Sequence, residues 1–145
     1  MKAFNLRVYG LLINNNQILV SDECRNGFSF TKFPGGGIEF GEGIHDALMR
    51  EFIEEMDVSI QVEKLYYVNE FLQLSAFNDN HQLISFYYIV STSELEKIKM
   101  GNHEVPHKEE GEKHRWIQIE ALNTDEFTFP IDQKVVQMIK NEMLK

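Results

Sequence analysis

Between Gly36 and Val58 the chain concentrates acids and one strong base at fixed intervals: Glu42, then Arg50-Glu51, then Glu54-Glu55. The stretch from Ile44 to Met56 contains no Gly or Pro and carries a helical period. At about 100° per residue, Glu51, Glu54 and Glu55 share an arc of roughly 100°. Met49, Phe52, Ile53 and Met56 occupy a separate arc with Leu48 beside it, so one side can be buried while the carboxylates gather on the other. Many Glu-rich helices are solvated faces and nothing more, but this arrangement works against stability. Like charges at i,i+4 cost about 0.2–0.5 kcal/mol per pair, and carboxylates in the last turn oppose the helix dipole by about 0.3–1 kcal/mol each. A divalent cation removes that penalty. Oxygen-only donors point to Mg2+ or Mn2+ rather than zinc or copper, and magnesium needs few carboxylates because water and substrate phosphate complete its octahedron.

The elements around the helix must hold a ligand against it. Gly35-Gly36-Gly37 directly precedes the acids, and without side chains its backbone can approach both the carboxylates and a ligand. No Gly-Lys-Ser/Thr follows, so this is not a nucleotide P-loop, and the run fits no dinucleotide fingerprint. Upstream, β-rich runs at Lys2 to Ile13 and Gln17 to Val20 flank Asn14-Asn15-Asn16 and predict a hairpin. Phe28 to Phe33 alternates as a third strand before Pro34 to Gly37, which is expected to be a loop. Downstream, Val58 to Val62, Leu65 to Phe77 and Leu83 to Thr92 read as strands, the last two forming a second hairpin. Ser93 to Lys99 reads as a short helix, Gly101 to Lys113 as a polar loop, and Arg115 to Ile119 as a last strand. Asp132 to Leu144 reads as a closing amphipathic helix. Two hairpins and two helices predict an α/β fold, a mixed β-sheet covered by helices on both sides.

Composition bounds the rest. With 145 residues, 43% hydrophobic and 26% charged, the chain is expected to form a single domain over 1–145. Fourteen Lys and Arg against 23 Asp and Glu give −9, which disfavours nucleic-acid binding and means that phosphates require cations. The single Cys24 cannot pair internally and suits a reducing, cytoplasmic compartment. No run is long and apolar enough to predict a membrane span.

The acidic stretch resembles the box of the Nudix hydrolases, G-x5-E-x7-R-E-U-x-E-E-x-G-U with U a bulky apolar residue. Gly36, Glu42, Arg50, Glu51, Phe52, Glu54, Glu55 and Val58 fill the specified positions. Asp57 stands where the family has Gly, at a helix end where Gly takes a left-handed conformation cheaply; the substitution is expected to alter the exit turn rather than the chemistry.

The resemblance implies an α/β/α Nudix fold and, most readily, a MutT-like metal-dependent pyrophosphatase. It would hydrolyse a phosphoanhydride in a nucleoside diphosphate linked to another moiety. Glu51, Glu54 and Glu55 would be the metal ligands, with a backbone carbonyl of Gly36 or a neighbour, and Arg50 would orient the carboxylates. Gly35, Gly36, Gly37 and Phe28 would contact substrate. The general base would be Glu54 or Glu51, or a late-loop acid among Glu109, Glu110 and Glu112, of which Glu110 is favoured because Lys108-Glu109-Glu110-Gly111 ahead of Trp116 resembles the late-loop acid of MutT-type members. Glu42 is expected to support the loop and helix start.

Leu72, Gln73 and Leu74 show neither the Pro nor the Tyr that marks the ADP-ribose and dinucleoside polyphosphate subfamilies. That leaves nucleoside triphosphates, oxidised or otherwise modified ones included, giving a monophosphate and pyrophosphate, or nucleotide sugars. Phe28, Phe30, Tyr9 and Phe86 could stack a base, although alternating strand aromatics are more often core. The competing reading is a Nudix-fold nucleotide sensor without turnover, against which stands the presence of Arg50, Glu51, Glu54 and Glu55 together. A homodimer is open by analogy, though no apolar stripe calls for one. His103 and His107 have i,i+4 spacing, but Pro106 between them argues against a helical metal pair.

Overall fold

Asn15 and Asn16 sit at φ of 51° and 61°, the left-handed pair that a two-residue hairpin turn demands and that asparagine tolerates. They join β1 (Ala3–Asn14) to β2 (Gln17–Arg25), with Ile13 facing Ile18 and Asn14 facing Gln17. In this computed structural model, which describes residues 1–143, the chain continues through β3 (Phe28–Lys32), β4 (Gly35–Gly37), α1 (Ile44–Met56), β5 (Gln61–Val68), β6 (His81–Ser91), β7 (Gly111–Gln118) and α2 (Pro130–Met143). Two compact units result: Met1–Leu11 with Gly35–Lys97, and Leu12–Pro34 with the chain from Ile98 onward.

In the first unit β4 runs antiparallel to β1, placing Arg7 opposite Gly37, Val8 opposite Gly36 and Tyr9 opposite Gly35. β6 lies beside β1 and pairs antiparallel with β5. Ala47, Leu48 and Phe52 are the buried residues of α1. The Phe52 ring fills the space that a side chain at Gly10 would need, 2.7 and 2.8 Å from that side chain's first carbon. Strand alternation then fixes the faces: Val8, Gly10 and Gly36 point to α1, and Arg7 and Tyr9 point away from it.

In the second unit β2 is flanked by β3 and β7, both antiparallel. Phe33 stacks on Phe127 with ring centres 4.9 Å apart, and Phe30 tilts against Phe129 at 5.4 Å. α2 begins on Pro130, where the missing N–H costs nothing, and buries Ile131, Val135, Val136 and Ile139. One buried acid in this core is held by three donors. The Asp22 carboxylate receives Thr31 Oγ1 at 2.6 Å, Arg115 Nε at 2.6 Å and a ring nitrogen of His103 at 2.7 Å. Burial alone would raise its pKa, but the bonds from Arg115, Thr31 and His103 outweigh burial and hold it below the usual carboxylate range. On the opposite strand face Lys32 Nζ lies 2.9 Å from Glu23, and both side chains are largely buried.

The glycine tract is a strand, not the expected loop, because its backbone pairs with β1. The long strand expected from Leu65 to Phe77 stops at Val68. Asn69 terminates it by receiving the Ser85 amide at 2.8 Å and donating to the carbonyls of Phe71 and Leu83, after which only Leu74 bridges to Gln82. Val58 to Ile60 precedes β5 as irregular chain, and Ser93 to Lys99 contains one tight turn of helix at Leu95–Lys97. β7 starts at Gly111, so Glu112 and Lys113 are strand residues rather than loop. α2 begins two positions before Asp132, and Leu144, its expected last residue, lies outside the described residues. On α1 the expected apolar arc is only partly buried: Met49 and Met56 are half-buried and Ile53 is exposed.

His114 is buried opposite Ser21, whose other neighbour in register is Lys32. Burial first, and the Lys32 charge second, push its pKa down to about 4. The folded protein therefore keeps His114 neutral where the unfolded chain takes up a proton. This contribution is fully present above pH 6.5 and is lost as pH falls towards 4, to the extent of about 3 kcal/mol. Urea unfolding at pH 7 and pH 4.5 is expected to show most of that loss disappearing in His114→Gln; an unchanged difference between the two pH values would count against this origin.

Candidate active site

The helix that carries the acids starts without a side-chain cap. Gly43 is its N-cap and accepts the Ala47 amide through its carbonyl, with Asp46 in the first turn. Order at this end comes from further along the helix, from Arg50. Its Nε and Nη2 clasp the two oxygens of Glu42 at 2.9 and 2.6 Å, a planar fork on a carboxylate. Nη2 also donates to the Gly37 carbonyl at 2.9 Å, and Nη1 lies 3.2 Å from Glu51 and 3.1 Å from Glu54. Glu42 returns the restraint by receiving the Glu39 amide at 2.8 Å. The Arg50 fork, with this amide bond second, lowers the Glu42 pKa to about 2, and Arg50 is raised in turn, chiefly by its bond to Glu42.

One guanidinium thus ties the end of the glycine strand, the approach to the helix and two of its acids into a single cluster. Glu39, Glu42, Glu51 and Glu54, all within 4 Å of Arg50, still leave a surplus of three negative charges. No basic residue stands in the last turn of α1 to relieve it. Glu51 is the most enclosed of the helix acids on this cluster, its side chain 14% exposed, whereas Glu54 is 58% exposed.

The Glu51 carboxylate rests on Gly36. A carbon added there would stand 2.6 Å from Glu51 Oε1 and 2.7 Å from its carboxyl carbon. Glycine at position 36 therefore makes a cradle for a carboxylate, and carboxylate and carbonyl oxygens form the hard donor set that Mg2+ or Mn2+ takes. Gly35 has a different reason to be glycine. Its φ is +146° and an added carbon would meet the Val8 carbonyl at 2.1 Å. At the far end of α1, Asp57 adopts the left-handed conformation, φ 56° and ψ 40°, and its amide still reaches the Ile53 carbonyl. The exit turn therefore keeps the form that glycine would give it, contrary to the expected alteration.

Glu110 and Phe28, two further expected site residues, belong to the second unit. Both Glu110 oxygens lie 3.1 Å from the Asn26 amide. Asn26 and Gly27 are the left-handed corner between β2 and β3, so the Glu110 carboxylate closes a turn of the second unit. Phe28, at that corner, is 42% exposed and lies 5.6 Å from the buried Phe30. His103 and His107 do meet, edge to face with ring centres 5.3 Å apart, although no helix joins them. The fork from Arg50 to Glu42 was legible only as charge at a fixed interval, and the Asp22 cluster had no local signal because its partners lie 9, 81 and 93 positions away in sequence.

A family model, the NUDIX domain, matches residues 4–138. The 8-oxo-dGTP diphosphatase of Escherichia coli (strain K12) is 28% identical over 142 residues, covering 97% of this chain and 98% of that protein. Among solved structures, a NUDIX hydrolase from Nitrosomonas europaea superposes with a TM-score of 0.71 at 18% identity, covering 99% of this chain and 91% of that one. A MutT structure from work on Aliivibrio salmonicida and Vibrio cholerae gives a TM-score of 0.59 at 21% identity, covering 97% and 99%. No helix among the described residues is long and apolar enough to cross a membrane.

Two adjacent glycines should fail in different ways. Gly36→Ala is expected to fold while displacing Glu51, weakening Mn2+ binding by about 10–100-fold in an electron paramagnetic resonance titration. Gly35→Ala should instead lose stability, because backbone cannot move aside as a carboxylate can. A Gly36→Ala protein with unchanged Mn2+ affinity would remove Glu51 from the proposed metal site. Separately, Asp57→Gly should raise unfolding free energy by about 1 kcal/mol by relieving the left-handed strain, and an equal or lower value in denaturant titration would contradict that account.

Proposed function

Because the chain belongs to the NUDIX domain family, we propose that it is a hydrolase that cleaves a phosphoanhydride bond of a nucleotide, yielding a nucleoside monophosphate and pyrophosphate from a nucleoside triphosphate or a modified one. The observation that carries this reading is the Arg50-centred array of carboxylates seated on a side-chain-free strand. The full-length similarity to an 8-oxo-dGTP diphosphatase supports the substrate class.

Glu51, Glu54 and Glu55, with the Gly36 carbonyl, are the proposed holders of a divalent cation, Mg2+ or Mn2+. When bound, such an ion neutralises the surplus acid and polarises phosphate oxygens. Arg50 holds the Glu51 and Glu54 carboxylates at fixed bearings and anchors the Gly37 carbonyl, so the strand and the helix present their oxygens together. Gly35, Gly36 and Gly37 let the phosphate chain lie against backbone. Glu54, the more exposed of the two acids bound to Arg50, is our proposed general base, taking the proton from the attacking water at its carboxylate oxygen. Glu110 is already engaged by Asn26, so the base is better sought on the helix.

Release of phosphate and pyrophosphate should be measured over nucleoside triphosphates, oxidised nucleotides, ADP-ribose, nucleotide sugars and dinucleoside polyphosphates, with Mg2+, with Mn2+ and with chelator. Metal-dependent cleavage of a triphosphate is the expected result. Silence across the panel, with nucleotide binding retained in a thermal-shift assay, would replace the hydrolase by a sensor.

Glu54→Gln should lower kcat by about 10²–10⁴-fold with the fold intact, and near-normal turnover would remove Glu54 from the chemistry. Glu110→Gln is expected to keep the wild-type pH–rate profile and to lower the melting temperature instead. Loss of the acidic limb, where rate rises as the base deprotonates, would return the base to the late loop.

A further inference from the structure

Arg7 lies on the face of β1 that points away from α1, directly across from Gly37. Its Nη1 is 3.7 Å from where a side-chain carbon on Gly37 would stand. Gly37 is therefore bracketed by two guanidiniums: Arg50 from the helix, donating to its carbonyl at 2.9 Å, and Arg7 from the neighbouring strand. Arg7 is also held in orientation. Its Nε donates to the Tyr9 hydroxyl at 2.6 Å, and its guanidinium carbon stands 5.7 Å from the centre of the Tyr9 ring. Tyr9 packs against Tyr87 at 5.2 Å, and Tyr87 against Tyr67 at 6.4 Å. Tyr9 and Tyr87 are 8% and 1% exposed, so the hydroxyl that fixes the Arg7 plane cannot wander.

The two faces of this strand pair differ in chemistry. On the α1 side Gly36 meets the Glu51 carboxylate, a place for metal and phosphates. On the other side are a planar cation and aromatic rings, suited to a planar, acceptor-bearing group. Between them is a strand of three glycines, of which Gly35 and Gly36 are buried and Gly37, beside Arg7, is partly exposed and brings no side chain of its own. A guanidinium donates and never accepts, so it pairs with a ring edge that offers two acceptors, as guanine does through O6 and N7, and not with the donor-and-acceptor edge of adenine.

Resting on the proposed nucleotide hydrolysis, we infer that Arg7 is a specificity-determining residue: it reads the carbonyl-bearing edge of a guanine-type base whose phosphates lie across the glycine strand, with Tyr9 as its positioning residue. Charge alone would place Arg7 on a phosphate, and the two assignments separate by base.

The test is equilibrium binding of GMP and AMP, in the presence of Mg2+, to wild type, Arg7→Met, Arg7→Lys and Tyr9→Phe, so that turnover is not needed. Wild type should prefer GMP by about tenfold or more, and Arg7→Met should weaken GMP by about 10–100-fold while changing AMP less than about twofold. Arg7→Lys should recover only part of the loss, because an ammonium cannot pair two acceptors in a plane, and Tyr9→Phe should show a smaller loss confined to GMP. Equal weakening of both nucleotides would assign Arg7 to a phosphate and overturn the inference. So would equal affinity of the wild type for GMP and AMP, or no change in Arg7→Met. Should Arg7→Met fail to fold, the lysine and Tyr9 variants carry the same comparison. A persistent, Arg7-dependent GMP preference with no turnover of any triphosphate would sink the hydrolase reading and leave this one standing.

Discussion

The fork between Arg50 and Glu42 is the constraint on which the proposed active site depends. Arg50 has donors enough for Glu42, Glu51, Glu54 and the Gly37 carbonyl at once, which an ammonium on a flexible stem could not match in one plane. Its strongest engagement is with Glu42, an acid that stands before the helix, and this keeps the guanidinium from collapsing onto Glu51 and Glu54 alone. The helix acids are thus held at moderate distance by a cation that does not neutralise them. A charge surplus survives the clustering, and it is that surplus which gives a divalent ion reason to bind.

The second unit shows the opposite use of a buried acid. Asp22 accepts bonds from Thr31, Arg115 and His103, so its charge is spent on holding β2, β3, β7 and the preceding loop in register. A buried carboxylate satisfied this fully is costly to disturb and has little capacity left for a ligand. Glu110, by contrast, is exposed, and its two oxygens share one donor, the Asn26 amide. Asp22 and the acids around Arg50 thus differ in their partners: the first is enclosed by buried donors from three elements, and the others share one guanidinium.

That difference explains what could be read from the sequence. The helix from Ile44 to Met56 and its acids were legible to the residue, because the 3.6-residue period, the absence of Gly and Pro, and the box spacing are all local signals. The Asn15-Asn16 turn was legible because asparagine tolerates the backbone that the turn requires. The glycine tract was misread as loop because glycine has low strand propensity, a prior overridden here by pairing with β1. The strand end at Val68 was hidden because Asn69 stops it through partners at Leu83 and Ser85, which no window around Asn69 contains. The bond from the Asn26 amide to Glu110 was hidden in the same way, because the two lie 84 positions apart.

A strand made of three glycines is thermodynamically odd, since each residue loses the most backbone entropy on ordering and contributes no side-chain burial. Two of the three are excluded from carrying a side chain by a neighbour, and the third is not. At Gly35 the backbone of Val8 and a positive φ exclude a side chain; at Gly36 the Glu51 carboxylate excludes it; at Gly37 the nearest atom to an added carbon, Arg7 Nη1, is 3.7 Å away, an ordinary contact. Only the first of these is a demand of folding. The second is a demand of the carboxylate cradle, and the third is no demand of packing at all. Glycine at position 37 is then explained by what a side chain there would screen: the space between the carbonyl that Arg50 holds and the guanidinium that Tyr9 orients. A strand that sacrifices conformational entropy at three positions is thus accounted for by Val8 at the first and Glu51 at the second, and at the third only by the proposed passage of a ligand between the Arg50-held carbonyl and Arg7.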